Sequence, residues 1–250
     1  MRPDKGLFNM TTRKHISEQE TARAIYMDFE ANPYHRPSVL GVLYKNDFDN
    51  TYSFTQYVLE KRLHPAAGGC VTSNLNEAVG MVIDMAKREN RLVISWSEKE
   101  INDVEGFCTP DLHESFESVF VNAIPIAKEW HRIFKKGVEI PKTANRGRNT
   151  QEYYMKVINF RVPSIYGPGT ASKPISEMRE VLTRNGGRYE LVDPTLKSDW
   201  KSMLKHNEYD CRGLQKIMAR VSRNLMQGQK ALGGDIKETH RSFEIARLAG

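Results

Sequence analysis

Asp28 and Glu30 stand two residues apart in the run Ala24-Ile25-Tyr26-Met27-Asp28-Phe29-Glu30. The run reads as a buried strand. Strand side chains alternate between faces, so the two acids share one face and Ile25, Met27 and Phe29 share the other. Two carboxylates side by side on an apolar strand repel each other and lose hydration. A divalent cation relieves both costs. The plain alternative is a strand whose acidic face is wet, and a chain of this length holds about one Asp-x-Glu by chance.

A late segment carries a second acid in an apolar setting. Leu214, Ile217, Val221 and Leu225 recur at helical spacing and define a buried stripe. Asp210 lies one turn before Leu214 and His206 one turn before that, so both fall on the same face. The alternative is an Asp favoured by the dipole near a helix start, with a surface histidine. Arg212, Lys216, Arg220 and Arg223 form a basic stripe on the opposite side, where solvent is the first expectation and a remote nucleic-acid contact the second. Between these regions Ser95-Trp96-Ser97-Glu98-Lys99-Glu100 precedes Asp103. Glu100 shares a helical face with Val104 and can turn inward. Glu98, Lys99 and Asp103 are more easily solvated, and any one of these acids can be ordinary helix-start enrichment.

Other chemistry is thinly represented. No phosphate-binding GxxxxGK[ST], no GxGxxG after a strand and no HExxH occurs. No GxSxG marks a hydrolase nucleophile. His35, His64, His113 and His131 lack metal-ligand spacing. Cys70, Cys108 and Cys211 are odd in number, far apart and without CxxC, which argues against structural zinc and for reduced thiols in a cytoplasmic protein.

The elements expected to position these groups begin with three strands, over 23–30, 38–45 and 51–60. Turn-rich Ala31–Pro37 and Lys45–Asn50 separate them, predicting an antiparallel meander. His64-Pro65-Ala66-Ala67-Gly68-Gly69 breaks the pattern. A helix follows over 73–89, capped by Ser73 or Asn74, then a short strand over Arg91–Trp96 and a helix start over Ser97–Val104. Thr109-Pro110 opens a helix with Leu112, Phe116, Val119, Phe120 and Ala123 on its buried face, kinked or ended by Pro125. Residues 137–172 show no clean periodicity and could be an insertion, with Tyr166-Gly167-Pro168-Gly169 as a turn or loop. Helices are expected over 174–184 and from about Trp200 or His206 to Leu225. A strand meander, a helix, a strand and then helices give a mixed α/β layer architecture as the expected fold class.

At 250 residues, 39% hydrophobic and 27% charged, the chain suits one elaborated soluble domain. That domain would span 23–227, between a polar extension over 1–22 and a polar tail over 228–250. Neither a membrane span nor a signal-peptide apolar region is expected. The net charge of +6 favours a polyanionic partner. It is concentrated in residues 127–148, with seven Lys/Arg against two Glu, and in residues 211–234, with five and no acid.

Taken in order, a strand with Asp-x-Glu, an acid near a strand-to-helix junction and an acid on a late helix resemble the DEDD 3′–5′ exonuclease superfamily. The local likeness is to its RecB-type branch of ribonuclease-H-like nuclease domains. His206-Asn207-Glu208-Tyr209-Asp210-Cys211-Arg212-Gly213-Leu214 is similar to that branch's Tyr-Asn-x-x-Asp motif, with His206 in the tyrosine's place. Trp96-Ser97-Glu98-Lys99-Glu100 is similar to its middle motif. The resemblance implies a ribonuclease-H-like α/β fold, a mixed sheet of the antiparallel three-strand meander plus parallel strands flanked by helices, and phosphodiester hydrolysis with two Mg²⁺ or Mn²⁺ ions about 4 Å apart. It implies Asp28, Glu30, Glu100 and Asp210 as metal-binding acids, with Asp103 a rival to Glu100. His206 would orient or deprotonate the attacking water. The implied partner is DNA or RNA, at a single strand or 3′ end. A non-catalytic nucleic-acid-binding or assembly subunit and a structure-selective endonuclease are the alternative readings.

Overall fold

The computed structural model describes residues 13–136, 139, 149–166 and 172–231. The expected loop at Gly167–Gly169, most of the basic run 127–148 beyond Lys136, and the tail from residue 232 lie outside them.

The chain opens with α1 (Glu18–Arg23), started by a capping box in which Ser17 and Glu20 satisfy each other's backbone donors. This helix belongs to the fold although the stretch read as a polar extension. Ile16 and Thr21 are buried, and the Thr21 hydroxyl meets Ser222 at 3.0 Å. Three strands follow, β1 (Ile25–Ala31), β2 (Pro37–Lys45) and β3 (Tyr52–Val58). They pair antiparallel in sequence order, so the predicted meander is present. A 3-10 turn over Lys61–Ala66 leads to the two-residue β4 (Val71–Thr72), which lies parallel to β3.

Next come α2 (Leu75–Arg88), capped by Asn74, then β5 (Val93–Ser95) and α3 (Lys99–Phe107). β5 runs parallel to β1. The helix expected from Thr109 to about Pro125 is instead two helices with a strand between them: α4 (Pro110–Glu117), β6 (Phe120–Asn122) and α5 (Ala123–Phe134). Phe120 and Val121 fit a pleated surface better than a helix. Asn122 caps α5 through Ile124 N–H, and Pro125 sits in its first turn, where a missing N–H costs nothing. The sheet is thus six-stranded and mixed, in the order β4-β3-β2-β1-β5-β6.

Within the segment expected to lack periodicity lies α6 (Gln151–Val157), one capped helix too short to show a repeat. It is followed by a 3-10 turn over Ser164–Tyr166, and then α7 (Ser172–Arg184). The last helix, α8 (Pro194–Ala231), is far longer than the segment expected from Trp200 or His206 to Leu225. Its early turns pack Trp200 and Met203 against Leu63, Ile175 and Leu182 in a small separate core, and Trp200 Nε1 donates to the Ala66 carbonyl at 2.9 Å. Among the described residues no helix is long and apolar enough to cross a membrane.

Two larger cores cover the faces of the sheet. Ile25, Met27 and Phe29 pack with α2 on one face. Tyr26 packs with Leu214, Ile217, Val221 and Leu225 of α8 on the other. Burying each such aliphatic side chain contributes about 1.5–3 kcal/mol. The alternation therefore aims Asp28 and Glu30 at α8.

Candidate metal centre

β1 lies at the centre of the sheet, so its acids have little access to bulk water. Asp28 opposes Gly41 of β2, which in turn opposes Gln56 of β3. These three positions form a row on the face that α8 crosses. Gly41 lets the helix approach: a Cβ there would overlap Asn207 Oδ1, and would lie 2.9 Å from Asn207 Cγ and 3.1 Å from Cys211 Sγ. Into that space the fully buried Asn207 inserts. Its Nδ2 donates to Asp28 Oδ2 at 2.9 Å and to the Asp28 carbonyl at 3.1 Å. Its Oδ1 accepts from Gln56 Nε2 at 3.0 Å, and Gln56 also donates to the Leu204 carbonyl at 2.9 Å. The Asp28 carboxylate is thus fixed by a chain of amides running from β3 through α8.

α8 also delivers His206 and Asp210, one turn apart. His206 Nε2 is 3.3 Å from Asp210 Oδ2, and His206 Nδ1 is 2.9 Å from the Tyr166 carbonyl. A carbonyl only accepts, so Nδ1 carries a proton. In the neutral ring Nε2 is then an acceptor facing a carboxylate, and the contact becomes favourable with a second proton or a cation. Donor atoms of Glu30, His206 and Asp210 all lie within 4.8 Å of one another. Among the described residues this is the one such cluster of histidine, cysteine or acidic groups.

The third acid comes from the first turn of α3. The short strand β5 ends at Ser95, and the chain turns through Trp96 and Ser97 into the helix. Glu100 is 4% exposed, and the Ser97 hydroxyl donates to its Oε2 at 3.3 Å. Asp28, Glu100, His206 and Asp210 line one cleft of about 1030 Å³. Asp103, expected to be easily solvated, is buried, and Lys99 Nζ holds its Oδ2 at 2.8 Å. It does not line the cleft. The structure therefore brings Asp28, Glu30, Glu100, His206 and Asp210 to one place and leaves Asp103 behind Lys99. The tight triad is Glu30, His206 and Asp210, with His206 among the donors rather than outside the acids.

Electrostatics follow from this crowding. Burial, then Asp210, push Asp28 up to about 7 against the pull of Lys99 and the Asn207 amide. Burial, then Asp28 and Asp210, carry Glu30 well above the usual carboxylate range. Burial, then Asp28, push Glu100 up to about 7. Burial disfavours the Lys99 ammonium, but Asp103 and the nearby acids outweigh it and raise Lys99. Three carboxyl groups raised together mark a site short of positive charge.

Residues 149–166 build the wall facing the acids. Trp96 Nε1 donates to the Asn149 carbonyl at 3.0 Å, and Gln151 Nε2 donates to the Asp210 carbonyl at 2.7 Å. Met155, Phe160, Arg161 and Tyr166 line this side. Tyr166 stacks on Tyr209 with ring centroids 5.6 Å apart. Of the basic stripe on α8, Arg212 pairs with Glu208 at 2.8 Å, while Lys216, Arg220 and Arg223 are exposed, away from the cleft.

Gln56 and Gly41 were not singled out from the sequence, Asn207 entered only as part of the late motif, and Lys99 only as a residue expected to be solvated. A glycine inside an otherwise apolar strand is a sign of close backbone approach, and Asn207 stands three residues before Asp210. Either could have been found. Gln56 and Lys99 carry no such sign. The cysteines are all free thiols, with Cys211 buried under the site. Comparison with protein-family models, with curated proteins and with solved structures finds no match.

Proposed function

We propose that this chain is a metal-dependent nuclease with a ribonuclease-H-like sheet, acting on nucleic-acid strands as a 3′–5′ exonuclease of DEDD type. The observation that carries the reading is the convergence of Glu30, His206 and Asp210 within 4.8 Å, beside Asp28 and Glu100 in a single cleft. Sheet order supports it as well: an antiparallel meander with its first strand central, followed by parallel strands on the other side.

The donor set fits a divalent cation. Carboxylates suit Mg²⁺ and Mn²⁺, and the imidazole favours the softer Mn²⁺ of the two. Glu30, His206 and Asp210 would hold one ion, and Asp28 with Glu100 a second. When bound, such ions activate water and stabilise the leaving oxygen of a phosphodiester. The protein's own part is positioning. Asn207 holds Asp28, the Tyr166 carbonyl sets the His206 tautomer, and Lys99 lends positive charge without entering the cleft. The wall carrying Phe160 and Arg161 offers an apolar face for bases and a cation for phosphate.

Purified protein with Mn²⁺ is expected to shorten end-labelled single strands, and Asp28→Ala to abolish this. Activity that survives Asp28→Ala would sink the assignment. Cleavage of a circular single strand would make it an endonuclease instead. Binding of nucleic acid with neither hydrolysis nor Mn²⁺ uptake would leave a non-catalytic subunit.

A further inference from the structure

A second pocket, of about 340 Å³, lies beside the large cleft, and Asn159 lines both. Trp130 and Phe134 of α5 and Val157 and Ile158 at the end of α6 supply its apolar walls. Lys135, Arg220 and Asn224 supply polar groups, and among the described residues no acid lines it. Among the described residues the side chains of Lys135, Arg220 and Asn224 make no hydrogen bond or ion pair, whereas the neighbouring Arg212 and Arg223 each face a carboxylate.

Two cations and an amide, with no carboxylate among the described lining residues, suit an anion rich in acceptor oxygens. We propose that this pocket receives a backbone phosphate of the strand whose end occupies the large cleft, with Arg220 as its principal cation. The inference rests on the nuclease reading and adds where the strand goes: past Asn159, over the end of α6, to the α5–α8 junction. It also separates Arg220 from the rest of the basic stripe. Lys216 shares the helix and the charge but does not line the pocket.

Binding of fluorescently labelled oligothymidylates and oligouridylates, with Ca²⁺ replacing Mn²⁺ so that they stay intact, tests this by anisotropy. Arg220→Ala is expected to weaken a dodecanucleotide by about tenfold and to lower the salt slope by about one. A tetranucleotide confined to the cleft should bind as to the wild type. Arg220→Lys should restore most of the loss, and Lys216→Ala should change little. Equal dodecanucleotide binding by Arg220→Ala and the wild type overturns the inference, as does an equal loss in Lys216→Ala. Such a result, with strands still shortened by the wild type, leaves the nuclease reading standing. A wild type that binds neither length overturns both.

Discussion

At the scale of single residues the site is a problem of unbalanced charge. Asp28, Glu30 and Glu100 are all raised by burial and then by neighbouring carboxylates, Asp210 acting on Asp28, and Asp28 on Glu30 and Glu100. The folded protein without metal therefore holds protons that the unfolded chain releases near 3.8 for Asp and 4.5 for Glu. The stability contributed by those protons is complete below these values and is lost as pH rises to about 7. The melting temperature of metal-free protein should fall across that window, and Asp28→Asn should flatten the fall. A melting temperature independent of pH there would contradict the clustering. Asn207 is the positioning residue with the clearest geometry. Asn207→Ala should cost about 10–100-fold in metal affinity or activity, the usual effect of losing a partner that orients a ligand. Calorimetry with Mn²⁺ measures it, and an unchanged affinity would show that Asp28 needs no such support. Asp28, Glu30 and Asp210 were legible in the sequence because strand and helix periods fix which way a side chain points. The choice between Glu100 and Asp103 was not, since both sit in one short helix. What decides it is Lys99, whose 2.8 Å contact claims Asp103.

At the scale of elements, the packing of α8 across β1 and β2 makes the site. Gly41 sets how close that packing can be. Gly41→Ala is expected to displace Asn207, destabilise the fold by about 1–3 kcal/mol through overpacking, and weaken Mn²⁺ binding in the same variant. Denaturant titration and calorimetry check the two effects, and full stability in Gly41→Ala would contradict the close approach. The sequence pattern gave the meander, α2 and the stripe of α8 because each buries one face and so shows its period. β6 was hidden because three buried residues carry no period, and because Phe116, Val119, Phe120 and Ala123 mimic helical spacing. The first three turns of α8 were hidden for a different reason. Their apolar residues pack in the small core with the 3-10 turn at Lys61–Ala66, α7 and the strand ends at Val39 and Val58, not on the main core that takes Leu214 to Leu225, so the stripe changes direction near His206.

At the scale of the whole molecule, the sheet and α8 hold the acids on one side of a cleft, and residues 149–166 close the other side. Phe160 and Arg161 on that wall, and Lys135 and Arg220 in the pocket beyond it, lie on the path proposed for the strand. Charge is thus divided: carboxylates gather at the centre, and Lys156, Arg161, Lys135 and Arg220 line the far wall and the pocket beyond it. A crystal soaked in Mn²⁺ tests the central claim most directly, because anomalous scattering locates the ion without reference to activity. The account predicts a peak within ligand distance of Glu30, His206 and Asp210, with Asn207 still bound to Asp28. Full Mn²⁺ soaking with no peak there, and His206 paired directly with Asp210, would contradict it.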